Sequence, residues 1–162
     1  MSNKKNIHLA LSDHERTGMR KHRLRKAGVL QHSADELAAL LGIPVTRAEE
    51  IRALADFQRI PSIGIELAKD LIDLGYASLD ELDGTSGAEL TDEYERRKGY
   101  RTDPCVEDQF RLVVDFARNG DHTKRWWDFT AERKAYRASV GYPDDRPEVN
   151  WTEVLRPKGG SG

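Results

Sequence analysis

Residue types that could do chemistry cluster at a few points of this 162-residue chain. The single cysteine stands in Asp103-Pro104-Cys105-Val106-Glu107-Asp108, in the first turn of an expected helix, where the helix dipole favours a thiolate. Three acidic neighbours oppose that, and a catalytic thiol needs a positioned base. None of His8, His14, His22, His32 and His122 has a context that marks it as one. Cys105 therefore reads as a small structural residue at a helix start, and no catalytic residue is expected. The run Arg20, Lys21, His22, Arg23, Arg25, Lys26 could meet phosphate, or form a solvated or internally paired face. In Lys124-Arg125-Trp126-Trp127-Asp128-Phe129, cations stand beside flat rings, which suits stacking on unpaired bases; the alternative is that both tryptophans close the core. HExxH, P-loop and GxSxG patterns are missing and no histidines have ligand spacing, so neither a metal nor a cofactor is expected.

The elements that must position these groups are helices. Ser or Thr followed three residues later by Glu marks a helix start, because the two side chains satisfy two orphan backbone donors reciprocally. Ser12/Glu15, Ser33/Glu36, Thr46/Glu49, Ser78/Glu81 and Ser86/Glu89 fit, and Asp103 before Pro104 supplies a cap with proline at the first helical position. Apolar residues recur at helical spacing between these starts, as in Leu37, Leu40 and Leu41, or Phe110, Val113, Val114 and Ala117. The pattern predicts helices over about residues 12–27, 34–41, 47–57, 65–74, 79–83, 87–97, 104–119 and 124–138. No alternating strand pattern competes, so the fold class is all-α. Beyond Tyr142-Pro143 a turn-rich tail could wrap back with Trp151 as its anchor. The terminal GGSG looks like a flexible linker.

Two of the turns are related. Aligning LLGIPVTRAEEI with IPSIGIELAKDL superposes Ile43 on Ile63, Ala48 on Ala68 and Ile51 on Leu71. The pattern resembles the helix-hairpin-helix motif, in which an exposed turn and the next helix's N-terminus offer backbone amides to phosphate. Glycine permits the turn and lets the backbone approach a ligand, while the central aliphatic plugs the groove between the helices. The first copy keeps Gly42 but has Pro44, and the second keeps Gly64 but has Ser62. Pro44 removes a donor, although Arg47 follows it, and Glu66 opposes phosphate near Gly64, with Lys69 one turn on. The turns serve either phosphate binding or helix packing alone. Because the turn is expected to need its glycine, Gly64→Val is expected to harm folding or binding more than Gly120→Val.

The stretches FQRIPSIGIELAKDLIDLGYASLDELDG, DPCVEDQFRLVVDFA and KRWWDFTAERKAYR resemble the bacterial pathogenicity-locus family, whose members also carry the name mitomycin-resistance protein. The likeness covers about residues 53–143, and the duplicated turn extends it to about residue 20. The resemblance implies a bacterial cytosolic protein with a DNA-binding type of fold and, through the mitomycin name, a link to DNA damage. It implies no catalytic residues.

Composition sets the limits. No window approaches the roughly 20 apolar residues of a bilayer span, and the N-terminus has no apolar core of a secretory signal, so a cytoplasmic protein is expected. The net charge of -2 hides a polarity: residues 1–27 carry 8 Lys+Arg against 2 Asp+Glu, residues 28–95 carry 4 against 15, and residues 96–162 carry 14 against 11. The basic arm could meet phosphate or pair with the acidic centre. The division read from this pattern is 1–19 as basic arm and first helix start, 20–97 as tandem helix-hairpin-helix region, 98–143 as C-terminal helical region, and 144–162 as tail. The expected function is binding of DNA without strong sequence preference; the alternative is a protein-interaction adaptor that makes no nucleic-acid contact. The residues expected to touch DNA are Gly42, Arg47, Ser62, Ile63, Gly64, Lys69, Arg20, Arg23 and Lys124.

Overall fold

The computed structural model describes residues 6–155; the GGSG end lies outside them. Among the described residues the regular structure is helical, with one isolated bridge between Arg101 and Asn150. None of these helices is long and apolar enough to cross a membrane. The chain divides into two compact units between Asp83 and Gly84.

The first unit contains α1 (Asp13–Lys21), α2 (Ala34–Leu41), α3 (Val45–Phe57) and α4 (Ile65–Asp73), with 3-10 helices at Lys26–Gln31 and Leu79–Leu82. Ser12 and Glu15 form the expected capping box at α1, and Ser33 accepts from the Glu36 amide at α2. The helix expected over 12–27 stops early. Arg23 takes a left-handed φ of +51°, and the Leu24 N–H donates back to the Met19 carbonyl, which closes α1. Successive like charges gain no i,i+4 support, so continuation through this basic run is not favoured. At α3 the expected Thr46 cap is not used, because the helix begins earlier with Pro44 as its N-cap. α2 and α4 both pack on α3, burying Leu37, Leu41, Ile51, Leu54, Leu67 and Leu71.

The second unit contains α5 (Gly87–Lys98), α6 (Pro104–Asn119), α7 (Thr130–Ser139) and a single turn, α8 (Trp151–Val154). Asp103 caps α6 as expected, by accepting from the Cys105 amide with Pro104 behind it. α5, which composition groups with the hairpin region, packs on α6. The two approach so closely that a Cβ at Gly87 would lie 2.8 Å from the Arg111 backbone. The helix expected over 124–138 is broken into a 3-10 turn at Trp126–Phe129 and α7. Neither tryptophan closes the core: Trp126 is half-buried and Trp127 is 55% exposed, and their rings meet edge to face.

Buried ion pairs organise this second unit. Glu107, at 1% exposure, accepts from Arg137 Nε at 2.9 Å and from Arg111 Nε at 3.0 Å. Arg137 also reaches Asp92 at 2.9 Å and the carbonyls of Ala88 and Gly141. Buried Asp108 takes Arg133 Nε at 2.7 Å and the Thr130 hydroxyl at 2.8 Å. The tail returns as expected, but its fastening is polar: Arg146 reaches buried Glu95 at 2.8 Å, and the Arg101 backbone pairs with Val149 and Trp151 at 2.7 Å. Tyr142 lies between the guanidinium groups of Arg137 and Arg146, at 4.2 and 3.5 Å from its ring centre.

Candidate functional site

The first turn, Gly42-Ile43-Pro44, joins α2 to α3. Gly42 ends α2 in the left-handed region, and its N–H and that of Ile43 both donate to Ala38 O. The second turn, running from Ile60 to Gly64, joins α3 to α4, and here the left-handed residue is Ser62, with φ +67°. Ile63 is fully inside the core, while Ser62 and Gly64 are exposed. The expectation about Gly64 is overturned on conformation. Its backbone is extended at φ -105° and nothing lies within 4 Å of a Cβ placed there, so the position does not demand glycine for folding. Gly120, by contrast, closes α6 at φ +65°.

The helices that follow these turns differ from most others. Serine or aspartate side chains cap α1, α2, α5 and α6, whereas Pro44 and Gly64 give α3 and α4 no side-chain cap. A helix start without a side-chain cap is a feature suited to anions. Lys69 is exposed one turn into α4, and Glu66 is exposed in its first turn.

Arg47 is not available to such an anion. Its Nε and Nη2 grip both oxygens of Glu15 at 2.8 and 2.9 Å, Nη2 also donates to Ala10 O at 2.9 Å, and Nη1 meets Glu50. The guanidinium holds the buried Glu15 carboxyl well below the usual carboxylate range, at about 2. The hydrogen bonds from Arg47 lower it most, and with the Ser12 amide and the guanidinium charge they outweigh burial, which alone would raise it. Lys124 lies in the other unit, 3.4 Å from Asp115 and over the Phe129 ring, so it too has an internal role. Burial, and next Asp103, push the Cys105 thiol above its ordinary value, which disfavours thiolate.

Arg20 and Arg23 are different. Both are exposed, as are Lys21 and Arg25, and among the described residues none of the four has a carboxylate partner. Arg20 donates only to the Thr17 hydroxyl at 3.4 Å, and Lys26 to Ile7 O at 3.2 Å. Arg16, Arg20, Arg25 and Lys26 line one groove together with Arg59, the residue before Ile60. Folding thus brings the basic run alongside the start of the second turn. Sequence reasoning missed Arg59 as a site residue, since its one signal was its place beside that turn.

No curated protein and no solved structure matches the chain. A family model does, from Glu50 in α3 to Ala135 in α7, so that the second turn lies inside the match and the first turn and basic run lie outside it. With residues 50–135 in that match, more than half of its length, the chain belongs to the pathogenicity locus family.

Proposed function

We propose that this protein binds DNA along the phosphate backbone without strong sequence preference, using its first unit as a pair of helix-hairpin-helix elements that share α3. One observation carries the reading: the segment Arg20–Lys26 keeps its cations clear of carboxylates in a chain whose net charge is -2. Unpaired, closely spaced cations attract a polyanion, because each phosphate contact releases condensed counterions. The uncapped starts of α3 and α4 supply amides of the kind such motifs offer to phosphate. Gly64, open on its Cβ side, lets a strand approach the backbone. The contacts in this reading are Arg20, Arg23, Arg25, Lys69 and the turns at Gly42 and Ser62–Gly64, with Arg47, Lys124 and the Asp56-paired Arg59 set aside. Its role is non-catalytic, and a connection to DNA damage follows the family resemblance.

The test is a titration of labelled duplex, single-stranded and branched oligonucleotides at two salt concentrations. Affinity should fall with salt at a log-log slope of about -0.9 per phosphate contact on duplex. A triple variant, Arg20→Ala with Arg23→Ala and Arg25→Ala, should bind at least about tenfold more weakly at low salt and show a shallower slope. Absence of binding by folded wild-type protein, or unchanged binding by the triple variant, refutes the reading.

A further inference from the structure

The groove that Arg20, Arg25 and Arg59 border has a floor as well as a rim, and DNA does not account for the floor. Its volume is about 820 Å³, and its apolar lining comes from Ile7, Leu11, Met19, Leu24 and Leu30. These side chains are aliphatic; among the described residues no aromatic ring lines the groove. An unpaired base is held by stacking on flat rings, so this floor is not built for a nucleobase. It is built for aliphatic side chains, and Met19 adds an adaptable surface among them.

The rim specifies charge. Arg16 and Arg59 are neutralised locally by Asp13 and Asp56, but Arg20 and Arg25 have no carboxylate partner among the described residues. Residues 1–5 and 156–162 contain no Asp or Glu. We infer that this groove docks an acidic amphipathic helix of a partner protein, with leucine-like residues seated on Leu11, Met19, Leu24 and Leu30 and carboxylates meeting Arg20 and Arg25. Such a helix satisfies both requirements at once: apolar residues at i, i+3, i+4 and i+7 make one stripe, and Asp or Glu beside that stripe faces the rim. The partner competes with DNA for the same two arginines, which makes the groove a place where an acidic protein displaces nucleic acid.

The probe is a fluorescein-labelled 18-residue peptide carrying a leucine stripe flanked by glutamates, followed by anisotropy with the full chain. A second peptide of identical composition but scrambled order controls for charge alone. Saturable binding is expected for the first peptide and binding at least tenfold weaker for the second. Arg20→Glu with Arg25→Glu should weaken the first peptide at least tenfold. Leu24→Gln, a neutral change checked for folding by circular dichroism, should do the same while leaving duplex DNA binding within twofold. Equal binding of both peptides, or indifference to Leu24→Gln in folded protein, overturns the inference. A concentration-dependent dimer that is broken by Leu24→Gln also overturns it, since the occupant is then a second copy. Peptide binding without DNA binding refutes the proposed function and keeps this inference; DNA binding without peptide binding does the reverse.

Discussion

Arginine has opposite fates in the two units. In the second, Arg111, Arg133, Arg137 and Arg146 each reach a carboxylate that is itself buried, and the helices and tail are tied together through these pairs. In the first, Arg20, Arg23 and Arg25 are exposed, with no carboxylate partner among the described residues. The difference does not lie in the supply of acid, since the acidic excess falls in residues 28–95, largely within the first unit. It lies in where the acids point. Asp35, Glu36, Glu49 and Glu66 are exposed, whereas Glu95, Glu107 and Asp108 are buried and hold their partners in place. A buried carboxylate makes an arginine structural, and without one the arginine stays available for a ligand. Arg47 is the instructive exception, a first-unit arginine fixed by buried Glu15.

The comparison can be broken most forcefully at Arg137. Arg137→Ala leaves Glu107 and Asp92 short of a partner and should destabilise the protein by about 3–5 kcal/mol in chemical denaturation. A loss below about 1 kcal/mol would show that the second unit does not depend on its buried pairs.

Acid should expose the exception in the first unit. The folded pKa of Glu15, about 2, lies below its ordinary 4.5, so its contribution is complete above pH 4.5 and disappears as the pH falls towards 2. That contribution is on the order of 2–3 kcal/mol. Denaturation curves of wild type and Glu15→Gln between pH 6 and pH 2 should therefore converge at the acid end, and parallel curves would count against the Arg47 pair.

Smaller effects sharpen the reading of the turns. Gly120→Val forces a β-branched residue into a left-handed position and should cost about 1–2 kcal/mol. Gly64→Val meets no neighbour and loses only a fair N-cap, under about 1 kcal/mol, so melting temperatures should rank the two variants in that order. At the far end of the scale, Arg20→Ala, Arg23→Ala and Arg25→Ala together should leave the melt within about 0.5 kcal/mol of wild type. A large loss there would mean that the basic run is structural after all.

Much of the helical framework was legible because its signals are local. The helices at 34–41 and 104–119 appear where Ser33 and the Asp103-Pro104 pair place them, and Ser12, Ser78 and Ser86 mark their starts correctly. Caps and apolar periodicity act within a few residues of one another, so the order of the amino acids is enough to read them. The misplaced start of α3 and the early end of α1 have local causes as well, but these involve Pro44 at an N-cap and a left-handed arginine, where residue type alone is a weak guide. The same holds at the turns: the internal repeat located both, but backbone conformation put the left-handed residue of the second at Ser62.

What the sequence by itself determined is an all-α chain with a duplicated turn, a basic arm and an acidic centre. Tertiary structure alone decided which charges pair between elements distant in the sequence. Arg47 and Glu15 are 32 residues apart, and Arg146 and Glu95 are 51 apart, so no spacing rule couples them. Pairing depends on which carboxylates the core withdraws from water, and burial is settled only when distant helices pack. For that reason Arg20 and Arg47, both expected from the sequence to touch phosphate, look alike there, yet in the folded protein one is exposed and the other is bound to Glu15.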